Sequence, residues 1–327
     1  MMKFRAALAR LLTVGVLMAF AGTAAAQQTY PNKPIRCIVP YAAGGGASNM
    51  ARFIGQKLTE SWGQQLLVDN RPGGNSIIGS EVLVRSPPDG YTIMLTAGSH
   101  TTNPSLIPYL PYDAIKDFAP VATVTNSENV LVLNLSVPAN NLQEFIALAK
   151  SRPGLLNYAA VGTGGPQHLA AELFSSMTGV RMQHIPYKGA AQTFTDLIGG
   201  QVQLLFSNPL NAIPHIKTGQ LKAIAVTGET RLSALPQVPT FAEAGLPGFG
   251  MKNWNGILAP AGTPKEIIDK LSAEIAKILV MPDIKEKLAS QGVDPFISTP
   301  EQFAALLKAE MVRYAKVIKA GNIKMEN

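Results

Sequence analysis

The sequence has very few residues that could form covalent cross-links or metal sites. Among its 327 residues there are one cysteine and four histidines. One cysteine cannot form a disulfide within the chain, and the histidines lack the spacing of zinc ligands. Disulfide scaffolds, zinc fingers and iron–sulfur proteins are therefore excluded. Cys37 lies in the apolar run from Ile35 to Val39 and is predicted to be a buried core residue rather than a reactive thiol.

Charged and aromatic side chains are also scarce. Only 15% of the residues are charged and 7% are aromatic, and the lysines and arginines are scattered along the chain. Because nucleic-acid-binding proteins cluster basic residues on one surface, no nucleic-acid partner is expected. The 46% of hydrophobic residues suffices for a large core, and a chain of this length is expected to form two lobes.

No stretch of the sequence stays apolar for the roughly 20 residues that a transmembrane helix needs. The N-terminus instead has three basic residues, then an apolar stretch from Leu11 to Phe20, then the small residues Ala24 to Ala26. This order is typical of a secretory signal peptide, so residues 1–26 are predicted to be cleaved after Ala26 and the protein to be exported. A membrane anchor is the alternative. Removing the three basic residues leaves 25 lysines and arginines against 21 acidic residues, a net charge of +4 that can favour anionic ligands.

The chain repeats an order of apolar strand, glycine-rich loop and amphipathic helix. The first example is a strand in Pro34 to Tyr41, the loop Gly44 to Gly46 and a helix after it, and the stretch from Asn157 to Thr178 repeats this order. Such successions predict an α/β fold whose lobes each contain a mostly parallel sheet flanked by helices. The amphipathic segment Pro300 to Ala320 is predicted to be a helix that packs on the first lobe.

Ligands in such sheets bind where the strands end and glycine loops lead into helices. Backbone N–H groups in the loops Gly44 to Ser48 and Gly162 to Pro166, other than that of the proline, which has none, can converge on an anion, so two facing helix N-termini could clamp a carboxylate. A loop that merely permits tight packing is the alternative for each. Neither loop is a P-loop or a dinucleotide-binding GxGxxG, and no cofactor is predicted.

Serine and histidine side chains leave a hydrolase as the alternative to a binding protein. Nucleophile and base types are present at Ser48, Ser76, Ser99, His100 and His168. The chain lacks a GxSxG elbow and an HExxH motif, so no catalytic residue and no metal site are predicted. His100 follows the predicted third strand, Thr92 to Thr96, and is either a ligand contact or a packing residue. Lys188 either neutralises an anion or lies at the surface, and His184 is expected in the core or at its boundary.

Short segments along the whole chain match a known pattern. They include YPNKPIRCIVPYAAGGG at Tyr30–Gly46, DNRPGGNSIIGS at Asp69–Ser80, HIPYKG at His184–Gly189 and LPQVPTFAEAGLPG at Leu235–Gly248. In this order they resemble the Bug family, the extracytoplasmic solute receptors of tripartite tricarboxylate transporters. The resemblance implies a periplasmic two-lobed binding protein of type II, with residues 27–126 and 252–327 in lobe 1 and residues 127–251 in lobe 2.

The resemblance also implies a function. The expected ligand is a small carboxylate, either a dicarboxylate, a tricarboxylate or an aromatic acid, and the expected partners are the membrane subunits of the transporter. Receptors of this kind are usually monomers and catalyse no reaction. A sensor that signals to a membrane partner is the alternative to transport.

Carried over by position, the ligand-binding loops of the family fall on both lobes. The implied residues are Gly44, Gly45, Gly46, Ala47, Ser48, Ser76, Ser99, His100, Thr101, Gly162, Thr163, Gly164, Gly165, His168, Tyr187, Lys188 and Asn208. Relatives usually have Thr or Ser followed by Asp where this chain has Ala47 and Ser48. Loss of that acid favours a carboxylate without an amino group, because an Asp would repel a nearby carboxylate. Asn255 is a second departure, since many relatives have an aromatic residue there.

Overall fold

The computed structural model describes residues 30–323, except for residues 45, 162, 188, 189, 252, 291, 292 and 322. These residues form two β-sheets with helices on their faces. The predicted signal peptide lies outside the described residues. Among the helices of the described part, none is long and apolar enough to cross a membrane.

The elements are numbered in chain order. The strands are β1 (Ile35–Val39), β2 (Leu66–Asn70), β3 (Thr92–Ala97), β4 (Phe118–Ser127), β5 (Val130–Asn134), β6 (Asn157–Val161), β7 (Gln183–Tyr187), β8 (Leu204–Ser207), β9 (Leu221–Val226), β10 (Asn253–Pro260) and β11 (Asp294–Pro295). The helices are α1 (Gly46–Trp62), α2 (Ile77–Val84), α3 (Ser99–Leu106), α4 (Leu142–Ser151), α5 (Pro166–Thr178), α6 (Ala190–Ile198), α7 (Pro209–Lys217), α8 (Lys265–Leu279), α9 (Pro282–Ser290) and α10 (Pro300–Ala320).

The first sheet has six strands in the order β11-β4-β10-β3-β1-β2. As the repeated strand–helix order predicts, β1 pairs in parallel with β2 and β3, whereas β10 inserts antiparallel between β3 and β4. Its central strands β1 and β3 are mostly buried and apolar, apart from the partly exposed Arg36 of β1, because helices cover both faces. Cys37 is 1% exposed and burial raises its pKa to about 12, which confirms its role in the core.

The second sheet has five strands in the order β7-β6-β8-β5-β9. Here β6 is parallel to β7 and β8, while β5 is antiparallel to β8 and β9. Both sheets are therefore mixed but mostly parallel, as expected: β1 to β4 run in one direction in the first sheet, and β6 to β9 do so in the second. The chain passes between the sheets twice, from β4 to β5 and from β9 to β10, and the strand that follows each crossing, β5 or β10, runs against the majority, as does the short β11. The predicted two-lobed α/β architecture is present.

Helix α10 connects the cores of both lobes. Phe303 and Leu307, near its start, pack with Trp254 in a core of the first lobe. Tyr314 and Val317, further along, belong to a core formed mainly by the second lobe. The predicted packing on the first lobe is present, and the helix also packs on the second lobe. With 21 residues the helix is about 30 Å long, which is enough to reach both.

Candidate functional site

A cavity of about 230 Å³ lies between the two lobes, where β3 and β6 end. Its walls come from the β3–α3 junction, the loop before α5, the crossing strands β4 and β10, and α10. The lining residues are Tyr41, Asn75, Ala97, Gly98, Ser99, Thr102, Ser127, Gly164, Gly165, Pro166, Leu169, Asn253, Trp254, Asn255 and Tyr314. The cavity thus occupies the place that an α/β sheet offers to ligands.

The first-lobe wall contains a chain of hydroxyl groups. The Tyr41 hydroxyl accepts the Ala97 N–H at 3.1 Å and lies 2.9 Å from Ser99 Oγ. Ser99 Oγ in turn lies 2.9 Å from Ser76 Oγ. Because hydroxyl groups both donate and accept, the direction of these hydrogen bonds can adjust to a ligand. This wall can therefore offer either donors or acceptors.

The loop that carries Asn75 and Ser76 has an unusual backbone. Both residues have positive φ angles, 50° for Asn75 and 75° for Ser76, which residues other than glycine rarely adopt. Asn103 holds the loop in place, since its amide Nδ2 donates to Asn75 O at 2.8 Å and its Oδ1 accepts from Asn75 Nδ2 at 2.7 Å. Strained backbone of this kind is concentrated at ligand sites, where the surroundings keep it in position.

The second-lobe wall is the start of α5. Pro166 occupies the first turn, and Gly164 has a left-handed backbone with φ of 76°. Two side chains of the first turn fold back onto the loop: Gln167 Oε1 accepts the Val161 N–H at 2.9 Å and His168 Nδ1 accepts the Gly164 N–H at 3.0 Å. Backbone N–H groups in a first helical turn lack acceptors within the helix, so this wall favours a negatively charged group.

Behind this wall lies a buried cluster of titratable side chains. The rings of His168 and His184 stack with centroids 3.8 Å apart, and Tyr158 donates to Glu172 Oε1 at 2.6 Å. Burial, aided by His184, lowers the pKa of His168 to about 4, and burial raises the pKa of Glu172. His168 Nε2 is 4.0 Å from Glu172 Oε1, but an uncharged ring makes no ion pair there at neutral pH.

The crossing strands supply the floor of the cavity. Asn255 Nδ2 donates to Thr125 Oγ1 at 2.9 Å, and Asn253 Nδ2 donates to Asn129 Oδ1 at 3.2 Å, so both asparagines tie β10 to its neighbours. Trp254, between them, packs edge-on against a phenylalanine of α10. Among the described residues that line the cavity, none carries a charged side chain. An anion there would be stabilised by hydrogen bonds and helix N-termini.

The cavity brings together some of the residues predicted from the sequence. Ser99, Gly164 and Gly165 line it, and Ser76 lies directly behind Ser99. Of the first glycine loop, the described residues Gly44, Gly46, Ala47 and Ser48 are absent from the lining. Ser48 is fully buried and donates to Asn70 Oδ1 at 3.2 Å. In the first lobe the helix N-terminus at the cavity is that of α3, not that of α1.

Other predicted residues have partners elsewhere. His100 is fully buried, with Nε2 2.9 Å from Ala114 O and its ring against Phe118, and burial lowers its pKa to about 4. Thr101, Thr163, His168, Tyr187 and Asn208 are likewise absent from the lining. Thr101 Oγ1 donates to Gly98 O, Tyr187 donates to Asp196 Oδ2, and Asn208 Oδ1 accepts from Leu210 N at the start of α7. Gly45, Gly162 and Lys188 lie outside the described residues.

Several lining residues were not anticipated. Tyr41 lies at the end of a predicted strand, and Asn75 is next to Ser76, which the resemblance implied as a ligand-binding residue. These positions could have indicated a role at the site. Tyr314 is in the last helix, and nothing in its local sequence connects it to a cavity. Asn253 and Asn255 are two residues apart on β10. The sequence identified only Asn255, as a departure from relatives.

Comparison with known proteins supplies the family. A sequence model described as the tripartite tricarboxylate transporter family receptor matches residues 50–323. The chain belongs to this receptor family. The receptor is 37% identical to the protein BugT of Bordetella pertussis over 320 residues, covering 97% of this chain and 98% of BugT.

Solved structures agree with the receptor fold. An R. palustris protein with adipate is 33% identical, with a TM-score of 0.75, covering 90% of this chain and 100% of that one. MatC from Rhodopseudomonas palustris with bound malate is 30% identical, with a TM-score of 0.71 and coverage of 88% and 100%. The periplasmic binding protein BugD is 33% identical with a TM-score of 0.72, covering 90% of this chain and 100% of BugD. The predicted family, the two-lobed fold and the choice of receptor over hydrolase are confirmed.

Proposed function

We propose that this receptor binds a small carboxylate in the cavity between its lobes and delivers it to the membrane subunits of a tripartite tricarboxylate transporter. The proposal includes export to the periplasm after cleavage behind Ala26 and action as a monomer. It also assigns residues 27–126 and 252–327 to lobe 1 and residues 127–251 to lobe 2.

The observation that carries the proposal is the make-up of the cavity. Helix N-termini from both lobes, at Ser99 and at Pro166, border a cavity whose described lining is uncharged. Each charge-assisted hydrogen bond to a carboxylate contributes about 1.5 to 3 kcal/mol net. Two groups of such bonds can reach the roughly −8 kcal/mol of a micromolar complex after ordering costs. Adipate and malate, found with the two R. palustris relatives, are both dicarboxylates.

The ligand contacts we assign come from all walls. Ser99, Gly164 and Gly165 keep the role that the sequence suggested, and Tyr41 and Asn255 are added from the geometry. Since the walls belong to different lobes, a ligand bound to one wall gains its remaining contacts when the lobes close. Closure excludes water and marks the receptor as loaded.

The first experiment identifies the ligand class. The chain from Gln27 to Asn327 is unfolded and refolded to remove any retained ligand, and its melting temperature is recorded with adipate, malate, citrate, benzoate, glutamate and lysine. A saturable rise is expected with at least one of adipate, malate, citrate and benzoate, because a ligand that binds only the folded state stabilises it. No rise is expected with lysine, which has a carboxylate but two ammonium groups beside it. If none of the acids raises the melting temperature, the proposed ligand class is refuted.

The second experiment tests the charge of the site. In Asn255→Asp a carboxylate enters the cavity without a change of size. At roughly 5 Å from a ligand carboxylate and an effective dielectric of about 20, the repulsion is about 3 kcal/mol, so binding should weaken by about a hundredfold. Asn211→Asp, at an exposed position of α7, is the matched control and should bind normally. Equal affinities of the two variants would show that the acid does not bind here.

A further inference from the structure

We infer that His168 is a positioning residue of the receptor: its Nδ1 lone pair accepts the Gly164 N–H and thereby sets the conformation of the cavity wall at Gly164 and Gly165. The residue does not line the cavity itself. That this wall contacts a ligand rests on the proposed function, whereas the effect of His168 on the conformation of the wall does not.

The geometry behind this inference is local. His168 is the third residue of α5, and its ring turns back over the helix N-terminus to reach the loop. Its Nδ1 and the Gly164 nitrogen are 3.0 Å apart, and both residues are buried. Without this acceptor the buried N–H would lose its partner, which a native fold avoids. Gly164, with φ of 76°, therefore has its left-handed backbone held by the ring.

The surroundings of the ring determine which nitrogen carries the proton. Because Nδ1 accepts from the backbone, the single proton of the neutral ring is on Nε2. The titratable groups that face His168 are Glu172 on α5, Tyr158 on β6 and His184 on β7. The end of α10 also reaches this cluster, since a Cβ on Gly321 would lie 2.5 Å from Glu172 Oε2. The cluster is packed from four elements.

A second proton on His168 would remove the contact to the loop. It could go only to Nδ1, and a protonated Nδ1 cannot accept the Gly164 N–H. Burial and His184 both oppose that proton, which keeps the pKa of His168 at about 4. The wall should thus stay fixed through neutral and mildly acidic pH and should change only as the pH falls below about 5.

The neighbouring residue provides a comparison within the same turn. Gln167 Oε1 holds the other end of the loop through the Val161 N–H at 2.9 Å. Gln167→Leu should free Val161 and leave Gly164 protected. His168→Leu should do the reverse. His168→Asn keeps an acceptor near the position of Nδ1 and should restore protection, because Asn Oδ1 is similarly placed.

The experiment follows the Gly164 amide by nuclear magnetic resonance in the full mature chain. We expect its hydrogen exchange to quicken at least about tenfold in His168→Leu, to return to within about threefold of wild type in His168→Asn, and to be unchanged in Gln167→Leu. The ¹⁵N shift of Nδ1 in wild type should be that of an unprotonated nitrogen at neutral pH. Should His168→Leu fail to fold, the wild-type ¹⁵N shift and His168→Asn still decide the question.

Titration calorimetry with adipate and malate gives the ligand readout. The dissociation constant should rise at least about tenfold in His168→Leu and recover in His168→Asn. A protonated Nδ1 at neutral pH, unchanged Gly164 exchange in His168→Leu, or unchanged affinity in that variant would overturn the inference. If neither acid binds the wild-type protein, adipate and malate are refuted as ligands. The exchange data still decide whether His168 positions the wall.

Discussion

Replacing His100 by glutamine measures the free energy that it costs to bury a titratable ring beside the first-lobe wall of the cavity. The ring is fully buried between Ala114 O and Phe118, and burial lowers its pKa from 6.5 to about 4. In His100→Gln the side-chain amide can still donate to Ala114 O, but it cannot take up a proton. The variant therefore removes the titration and keeps the hydrogen bond.

The magnitude follows from the shift in pKa. Between pH 6.5 and about 4 the unfolded chain binds a proton at His100 that the folded protein does not. Because the folded pKa is depressed, this contribution to stability is present above pH 6.5 and is lost as the pH falls toward 4. The free energy of unfolding should fall by about 1.4 kcal/mol per pH unit across this window, about 3 kcal/mol in total.

Urea unfolding of wild type and His100→Gln, at several values between about pH 7.5 and pH 4.5, tests this directly. Wild type should lose stability relative to the variant as the solution becomes more acidic, with the slope given above. His168 and the carboxylates titrate in both proteins, so the difference between the two isolates His100. Parallel curves would refute the reasoning and would mean that His100 titrates normally in the folded protein.

Two further substitutions test the packing of the first lobe. In Gly256→Ala the new Cβ would overlap the Phe303 ring, so the free energy of unfolding, measured with urea, should fall by about 1 to 3 kcal/mol. Gly46→Ala, where a Cβ meets open space, is the control and should lose little stability. In Thr299→Ala the capping box with Gln302 at the start of α10 is lost, and the melting curve should show a loss of about 1 kcal/mol; no change would mean that the cap does not stabilise the helix.

Local sequence was sufficient where local contacts decide the structure. The amphipathic pattern from Pro300 to Ala320 predicted α10 to the residue, and the second glycine loop led to Gly164 and Gly165 at the cavity. Helix α3 was not predicted, because it contains Pro104 and mostly residues of weak helix propensity. His100 was expected just after a strand, either as a ligand contact or as a packing residue. As the second residue of α3 it packs in the core.

Contacts between distant parts of the chain could not be predicted. Asn255 of β10 pairs with Ala97 at the end of β3, although they are far apart in sequence. Tyr314 reaches the cavity because α10 lies across both lobes. Neither position has a periodicity or a spacing that identifies its partner. Such contacts follow from the order of strands in the sheet, which only the assembled fold determines.

The insertion of β10 between β3 and β4 affects how the first sheet folds while the chain is being synthesised. When a chain is synthesised from its N-terminus, residues up to Ser127 emerge with both β3 and β4 lacking the neighbour that later separates them. Strands with unpaired edges are prone to pair with other chains. All strands of the second sheet, β5 to β9, are made during this interval, but the first sheet must wait until Pro260 has been made. Fragments that end before β10 should therefore aggregate rather than fold.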